Sequence, residues 1–508
     1  MTKKRFNRIA VVIAFGWSGC FAQSNHQSFS LTFVGNIPFD SLFLQLAQYT
    51  MFSGNGKNWA GSTQTVCKKN GTSQFTFRKN IDAPFYFSCG FEFSVEPSGR
   101  YLRSILNNYL VEPGDEITVR IKRDSSYKAR FKKNDSYYTY IYENPNYIIS
   151  FSGKGSAKFS CRYQADRTTS IIANEAAILN NTGALKRNLF LDKCFNTSVR
   201  VLNRYKNRLS QLAFQILYAD FVGKFKADWY SLFPWEWVKP NNDSSFLFNA
   251  KKSLERRLKI EHFIPLSNKA KVLSAFYSSY IIQKEVAKAW ANGNRNESVI
   301  YNYLAGNYKG ELRDKLITAY LCDWYPYLKN NDSILNDALS WTQTAYCHYR
   351  LEELSNEHSN GKIAYNFALP DTSDKIIRLE DLKGKAVLID FWYTGCTGCA
   401  QFYKTALKEV EEEYRNNNKV TFVSISVDLD KSRWIKSVYG DTYTSPAVVN
   451  LYTNGKGGEE DVIKYYKITS YPTLLLIDKQ GKIFSASAAD LRNKEKLKEL
   501  IEEALKAE

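Results

Sequence analysis

Residues 385–401 read KAVLIDFWYTGCTGCAQ, and this stretch narrows the choice of fold more than any other. An apolar run from Ala386 to Trp392 is followed by the turn Tyr393-Thr394-Gly395. Then come Cys396, Thr397, Gly398 and Cys399, and the helix-like AQFYKTALKEVEEEYR. Apolar run, turn, CxxC and helix describe a redox dithiol at the N-terminus of a helix. Cysteines three apart there lie on one side of the first turn, with Cα atoms within the roughly 4.4–6.8 Å that a disulfide needs. Cys396 falls where unpaired N–H groups and the macrodipole favour an anion. Such a position lowers a thiol pKa from about 8.5 into the range of roughly 3.5–7.5. The pattern predicts Cys396 as the nucleophile and Cys399 as the thiol that resolves the mixed disulfide.

The rest of the C-terminal part adds context. Asp390 lies near the end of the apolar run, just ahead of Phe391-Trp392. KVTFVSISVD (419–428) reads as a second core strand, and YYKITSYPTLLLID (465–478) places Tyr471-Pro472-Thr473 before a third apolar run. Only about 5–6% of X–Pro bonds are cis, so the proline by itself says little. Together these segments resemble the thioredoxin superfamily. FALPDTSDKIIRLEDLKGKAVLIDFW (367–392) is similar to the lead-in of its TlpA-like branch, the envelope thiol-disulfide oxidoreductases of Gram-negative bacteria. The resemblance covers roughly residues 361–508. It implies that Cys396 and Cys399 are the redox pair and that Pro472 is a cis-proline opening a strand that faces them. Asp390 matches a buried acid that aids proton transfer at the resolving thiol. Tyr471 and Pro472 would line a client groove, since backbone beside a cis-proline is open for strand-like pairing with a peptide. The resemblance also implies the reducing direction, with electrons from a membrane-linked donor passed to disulfides of client proteins or apocytochromes. Two positions depart from the family: Gly395 stands where Trp is usual, and Gly398 where Pro is frequent.

A chain of 508 residues is too long for one core, so two or three domains are expected. Hydrophobic content of 44% and aromatic content of 15% suit packed globular units and exclude a disordered chain. The first 22 residues read as a targeting segment: basic MTKKRFNR, apolar IAVVIAFGW, then small residues. Cleavage after Ala22 fits best; the alternative is a lipoprotein signal with Cys20 lipidated, against which Trp17 counts. Loss of Lys3, Lys4, Arg5 and Arg8 takes the net charge from +18 to +14. Residues 361–508 hold 22 Lys and Arg and 22 Asp and Glu, so the excess lies in residues 23–360. A basic surface suits anionic lipid headgroups or an acidic partner, or simply solubility. Nucleic acid fits a secreted chain poorly. No later run approaches the roughly 18–20 apolar residues of a membrane span. The expected location is the periplasm or cell envelope, soluble or peripheral to the membrane.

The predicted fold is multidomain, with boundaries at 1–22, 23–164, 165–356 and 357–508. SFSLTFVGN, SQFTFRKN, FYFSCGFEFSVE and DEITVRIKRD alternate apolar and polar residues and end at turns. They suggest a small antiparallel β-sandwich, similar to the β-domain ahead of many TlpA-like domains, with FSGKGSAKFSCRYQ (151–164) as its exit. Apolar spacing of three and four in 200–225, 268–290 and 315–328 predicts a middle α-helical region. Its aromatic cluster of Trp229, Tyr230, Phe233, Trp235 and Trp237 reads as core. ELSNEHSNGK (353–362) reads as the linker to a C-terminal α/β thioredoxin fold. There Asp430 caps a helix, GKGG (455–458) is a flexible surface loop and KLKELIEEALK (496–506) is the terminal helix.

Outside the motif, Cys67, Cys89, Cys161, Cys194, Cys322 and Cys347 allow either structural bridges or buried thiols. CxxC offers two of the four ligands that a zinc site needs, and Cys347-His348 is isolated, so no metal site and no cofactor is predicted. A thiol peroxidase would want a single peroxidatic cysteine. The rival from a different class is a binding or scaffold protein, in which the β and helical parts hold a partner and the redox domain is accessory.

Overall fold

The computed structural model describes residues 27–35, 41–47, 62–68, 74–95, 99–123, 147–178, 184–237, 244–294, 296–328, 330–358, 360–468 and 470–507. The predicted targeting segment, with Cys20 and Ala22, lies outside them.

The N-terminal strands are β1 (Gln27–Gly35), β2 (Ser41–Ala47), β3 (Ser62–Lys68), β4 (Gln74–Ile81), β5 (Phe85–Val95), β6 (Gly99–Val111), β7 (Glu116–Arg123) and β8 (Tyr147–Ser152). They form two four-stranded sheets, ordered β4-β1-β7-β8 and β3-β2-β5-β6. The period of two is visible in β1, where Phe29, Leu31 and Phe33 are fully buried and Ser30 and Thr32 are not. These rings share one core with Leu42 and Leu44 of β2 and Phe87 of β5. The antiparallel expectation needs one correction: β1 and β7 run parallel. The chain leaves for the second sheet in β5 and β6, then re-enters beside β1 after the Pro113-Gly114 turn, where Gly114 has φ +81°.

The middle region is helical: α1 (Ser156–Ile178), α2 (Ala184–Tyr205), α3 (Gln211–Trp237), α4 (Ser244–Ile260), α5 (Asn268–Leu273), α6 (Tyr277–Ala291), α7 (Glu297–Asn307), α8 (Gly310–Trp324), α9 (Asn331–Trp341) and α10 (Ala345–His358). α1 begins inside the predicted domain exit, and its Phe159 sits in the β core. Trp229 and Tyr230 are buried; the side chains of Phe233, Trp235 and Trp237 lie outside the described residues. The β and helical parts meet at a buried polar seam. There the Tyr86 hydroxyl donates to Asp220 Oδ2 at 2.7 Å and the Ala275 N–H to Asp220 Oδ1 at 2.9 Å. The predicted linker is half helix, because α10 continues to His358. Leu354 is buried, and Glu357 and Glu353 face Lys467 of the last domain at 2.6 and 3.7 Å.

The C-terminal part opens with the β9 (Ala368–Pro370) and β10 (Ile376–Arg378) hairpin, then β11 (Ala386–Trp392). α11 (Thr397–Phe402) passes through a π-helical turn (Tyr403–Leu407) into α12 (Lys408–Glu413). β12 (Val420–Ser426), α13 (Lys431–Tyr439), β13 (Val449–Tyr452), α14 (Asp461–Tyr465), β14 (Thr473–Ile477), β15 (Ile483–Ser485), α15 (Ala488–Leu491) and α16 (Lys494–Lys506) follow. The sheet order is β13-β12-β11-β14-β15. All seven residues of β11 are buried, as suits a central strand covered on both faces. Val387, Ile389 and Phe391 point to one core and Ala386 and Leu388 to the other. Gly457 is buried at φ +55°, and a Cβ there would lie 2.8 Å from Leu429 Cδ2, so within the GKGG surface loop this glycine is packed while Lys456 and Gly458 are exposed. Among the described residues no helix is long and apolar enough to cross a membrane.

Candidate active site

β11 delivers the chain to the turn Tyr393-Thr394-Gly395, which is held from several sides. The Thr394 N–H donates to Asp428 Oδ1 at 3.0 Å and its hydroxyl to Oδ2 at 2.6 Å. The Gly395 N–H donates to the Tyr443 hydroxyl at 2.9 Å, and the Arg433 guanidinium to the Thr394 carbonyl at 2.7 Å. Gly395 has φ +99°, a region that glycine enters without steric cost. The sharp turn leaves Cys396 as the N-cap of α11, with the Cys399 N–H pointing at Cys396 Sγ from 3.1 Å.

Cys396 and Cys399 form a disulfide, with Cα atoms 5.3 Å apart. Both are buried, Cys396 at 4% exposure and Cys399 at 1%. They pack with Trp392, Trp434, Val438 and Tyr452. Trp392 is fully buried, donates Nε1–H to the Ser424 hydroxyl at 2.6 Å and stacks on Tyr443 at 5.1 Å. The Tyr471–Pro472 peptide is cis. Tyr471 O lies 3.8 Å from Cys396 Sγ. A Cβ on Gly398 would stand 3.6 Å from Tyr471 O and 3.7 Å from Pro472 Cδ, so the first turn of α11 lies against the cis peptide. The Tyr393 and Tyr471 rings meet edge to face at 5.4 Å, with Tyr393 40% exposed.

Asp390 sits on the strand face of Leu388, opposite Leu474 of β14, under the helix that starts at the disulfide. It is buried, and its Oδ1 has no hydrogen-bond partner. Burial pushes its carboxyl up to about 7, against the opposing charge of Arg492. Arg492 donates to the Pro472 carbonyl, which ties this cation to the cis peptide.

Of the five residues predicted from sequence, Cys396, Cys399, Tyr471 and Pro472 lie together, and Asp390 connects to them through Arg492, the cation that opposes its charge shift and donates to the Pro472 carbonyl. Sequence reading missed Glu411, Arg433 and Arg492. Glu411 is buried in α12 with Oε2 unpartnered, and burial, with the Asp390 charge, pushes it up to about 8. Its spacing was the available signal, four residues after Leu407 and three before Tyr414 on the apolar stripe. Nothing local marked Arg433 or Arg492. Of the six remaining cysteines, Cys89, Cys161, Cys194, Cys322 and Cys347 are buried thiols; the side chain of Cys67 lies outside the described residues. Among the described residues no group of three or more His, Cys, Asp and Glu side chains could hold a metal ion.

The C-terminal part of the chain is similar to known proteins. A family model described as thioredoxin-like matches residues 384–483. The thiol-disulfide oxidoreductase ResA of Bacillus thuringiensis is 33% identical over 146 residues, which cover 29% of this chain and 76% of ResA. The thioredoxin-like protein YneN of Bacillus subtilis is 31% identical over 137 residues, covering 27% of this chain and 75% of YneN. Among solved structures, a thiol-disulfide oxidoreductase from Bacteroides fragilis aligns with 26% identity and a TM-score of 0.25, covering 27% of this chain and 99% of its own. With a bridged CxxC at the start of a helix, a cis-proline against it and a relative matched over three-quarters of its length, the chain belongs to the thioredoxin-superfamily thiol-disulfide oxidoreductases.

Proposed function

We propose that the protein is an exported thiol-disulfide oxidoreductase that reduces disulfides of envelope client proteins. The observation that carries this reading is the Cys396–Cys399 bridge, seated against the cis Tyr471–Pro472 peptide, with a buried acid, Asp390, on the strand that leads to it. In the reduced dithiol, the Cys396 thiolate attacks one client sulfur. The client S–S bond breaks, a Cys396–client bond forms, and the departing client thiolate takes up a proton. Ionised Asp390 then accepts the proton of Cys399. The Cys399 thiolate attacks Cys396 Sγ, closing the intramolecular bridge and releasing the second client sulfur as a thiolate, which takes the proton back from Asp390. Two electrons have passed to the client, and a membrane-linked donor must return them. An acid pushed up to about 7 is matched to this exchange near neutral pH. Tyr471 and Pro472 would offer backbone to an extended client segment.

Direction is a question of potential, since about 30 mV is worth 1.4 kcal/mol for a two-electron couple. A glutathione redox titration of the full chain tests it. A value well below about −200 mV supports the reductant, and one near about −120 mV makes the protein an oxidant. Insulin reduction by wild type and by Cys396→Ser tests the chemistry, with activity expected only in the former.

Export rests on the basic–apolar–small pattern of residues 1–22, and the N-terminal sheets, sharing one core, support a β-sandwich ahead of the helices. The second reading is a binding module in which residues 23–360 hold the partner. In its favour, the ResA match leaves 71% of the chain uncovered. Equal insulin traces for wild type and Cys396→Ser would favour it.

A further inference from the structure

Gly395 stands where the resembled family usually carries Trp, and in this fold a cation from another element fills the place. A Cβ on Gly395 would come within 3.3 Å of Arg433 Nη2. Arg433 rises from the first turn of α13, whose N-cap Asp430 accepts the Arg433 N–H at 3.0 Å. Its guanidinium donates to the Thr394 carbonyl at 2.7 Å, two residues before Cys396. A guanidinium has five N–H donors in a planar fork that suits carboxylates, and Arg433 is exposed, so donors remain for a ligand. Nearby acids have other engagements. Asp428 is buried and takes the Thr394 N–H and hydroxyl, and Asp430 caps the helix. Lys431 of the same helix pairs with Asp374 at 2.5 Å. One residue before Thr394, Tyr393 is 40% exposed and its ring meets that of Tyr471.

We propose that Arg433 reads the client: it binds a carboxylate next to the reacting client cysteine, so preferred clients carry Asp or Glu beside their disulfide. The turn before Cys396 then carries one cation, and the site takes an acidic, extended peptide. Arg433 gains and loses no proton or electron; it holds the segment whose S–S bond Cys396 opens. This inference rests on the exchange activity proposed above.

The test uses the reduced full-length chain and two synthetic disulfide peptides that differ only in Glu or Lys beside the cysteine. Wild type is expected to react with the Glu peptide about three- to ten-fold faster in low salt, and the ratio should shrink in about 0.5 M salt. Arg433→Gln should bring the ratio to about one, Arg433→Glu should invert it, and Arg433→Lys should keep part of it. Because each variant supplies its own ratio, a general loss of rate cancels, and Arg433→Lys supplies the readout should Arg433→Glu fail to fold. Equal wild-type rates, or an unchanged ratio in Arg433→Gln, would overturn the acidic-client assignment while the exchange reading stands. No reaction with either peptide would overturn the exchange reading, and this inference with it.

Discussion

Asp390 is a carboxyl group with one oxygen unpartnered in an apolar site, so folding favours its protonated form. Its folded pKa of about 7 stands above the ordinary 3.8. Between those values the folded chain holds a proton that the unfolded chain has released, and stability therefore falls as pH rises through that window. Asp390→Asn should stabilise the protein by about 2–4 kcal/mol at pH 8 and by almost nothing near pH 4, as read by urea unfolding at the two pH values. A gain of equal size at both would contradict the burial account. The same substitution should slow release of the mixed disulfide more than its formation, which rapid quenching with a Cys399→Ser control resolves; unchanged release would remove Asp390 from proton transfer. Gly395→Ala forces a Cβ into φ +99° and should cost about 1–2 kcal/mol in thermal or urea unfolding. At this scale the cysteine pair was legible because the apolar run, the turn and the helix around it are written locally beside the CxxC spacing. Glu411 and Arg433 were not, because their meaning depends on where a helix face lands after packing.

Among the elements, α13 links stability to the site. Its cap, Asp430, also fixes the first turn that carries Arg433. Asp430→Ala should lower stability by about 1 kcal/mol in urea unfolding, and a change below a few tenths would show that water replaces the cap without loss. Elements with strong local patterns could be read in advance. The apolar runs became β11, β12 and β14, and the spacing of Leu497, Ile501 and Ala504 became the buried side of α16. The parallel pairing of β1 with β7 could not, since it joins strands about 85 residues apart and no local signal encodes a register at that distance. The π turn at Tyr403–Leu407 was equally hidden, because its side chains suit an ordinary helix.

Across the whole molecule, the redox domain is docked on the helical region rather than hung from it. Tyr327, just past α8, reaches Ser470 beside the cis peptide with its hydroxyl at 3.5 Å, and its ring lies 5.7 Å from the Arg492 guanidinium. Lys467 meets Glu357 close by. A cavity of about 70 Å³ lies in this junction, lined by Cys322, Tyr327, Glu357, Ser470, Thr473 and Arg492 among others. Combining Tyr327→Ala with Glu357→Ala should loosen the junction and speed tryptic cleavage at exposed Lys362 several-fold, without changing the Cys396–Cys399 bridge. Unchanged cleavage would mean that these contacts carry little free energy. The junction was illegible in sequence because the polar composition of 353–362, typical of a tether, here supplies the docking charges.

The five buried thiols have a consequence for a protein of this chemistry. Cys89, Cys161, Cys194 and Cys347 sit inside apolar packing and Cys322 is buried beside Arg350, and burial drives each thiol pKa upward, away from the reactive form. A catalyst of thiol–disulfide exchange would endanger any scaffold riveted by sulfur–sulfur links, its own included. At these five positions the scaffold holds unbridged thiols instead, so turnover at the working pair leaves them nothing to lose.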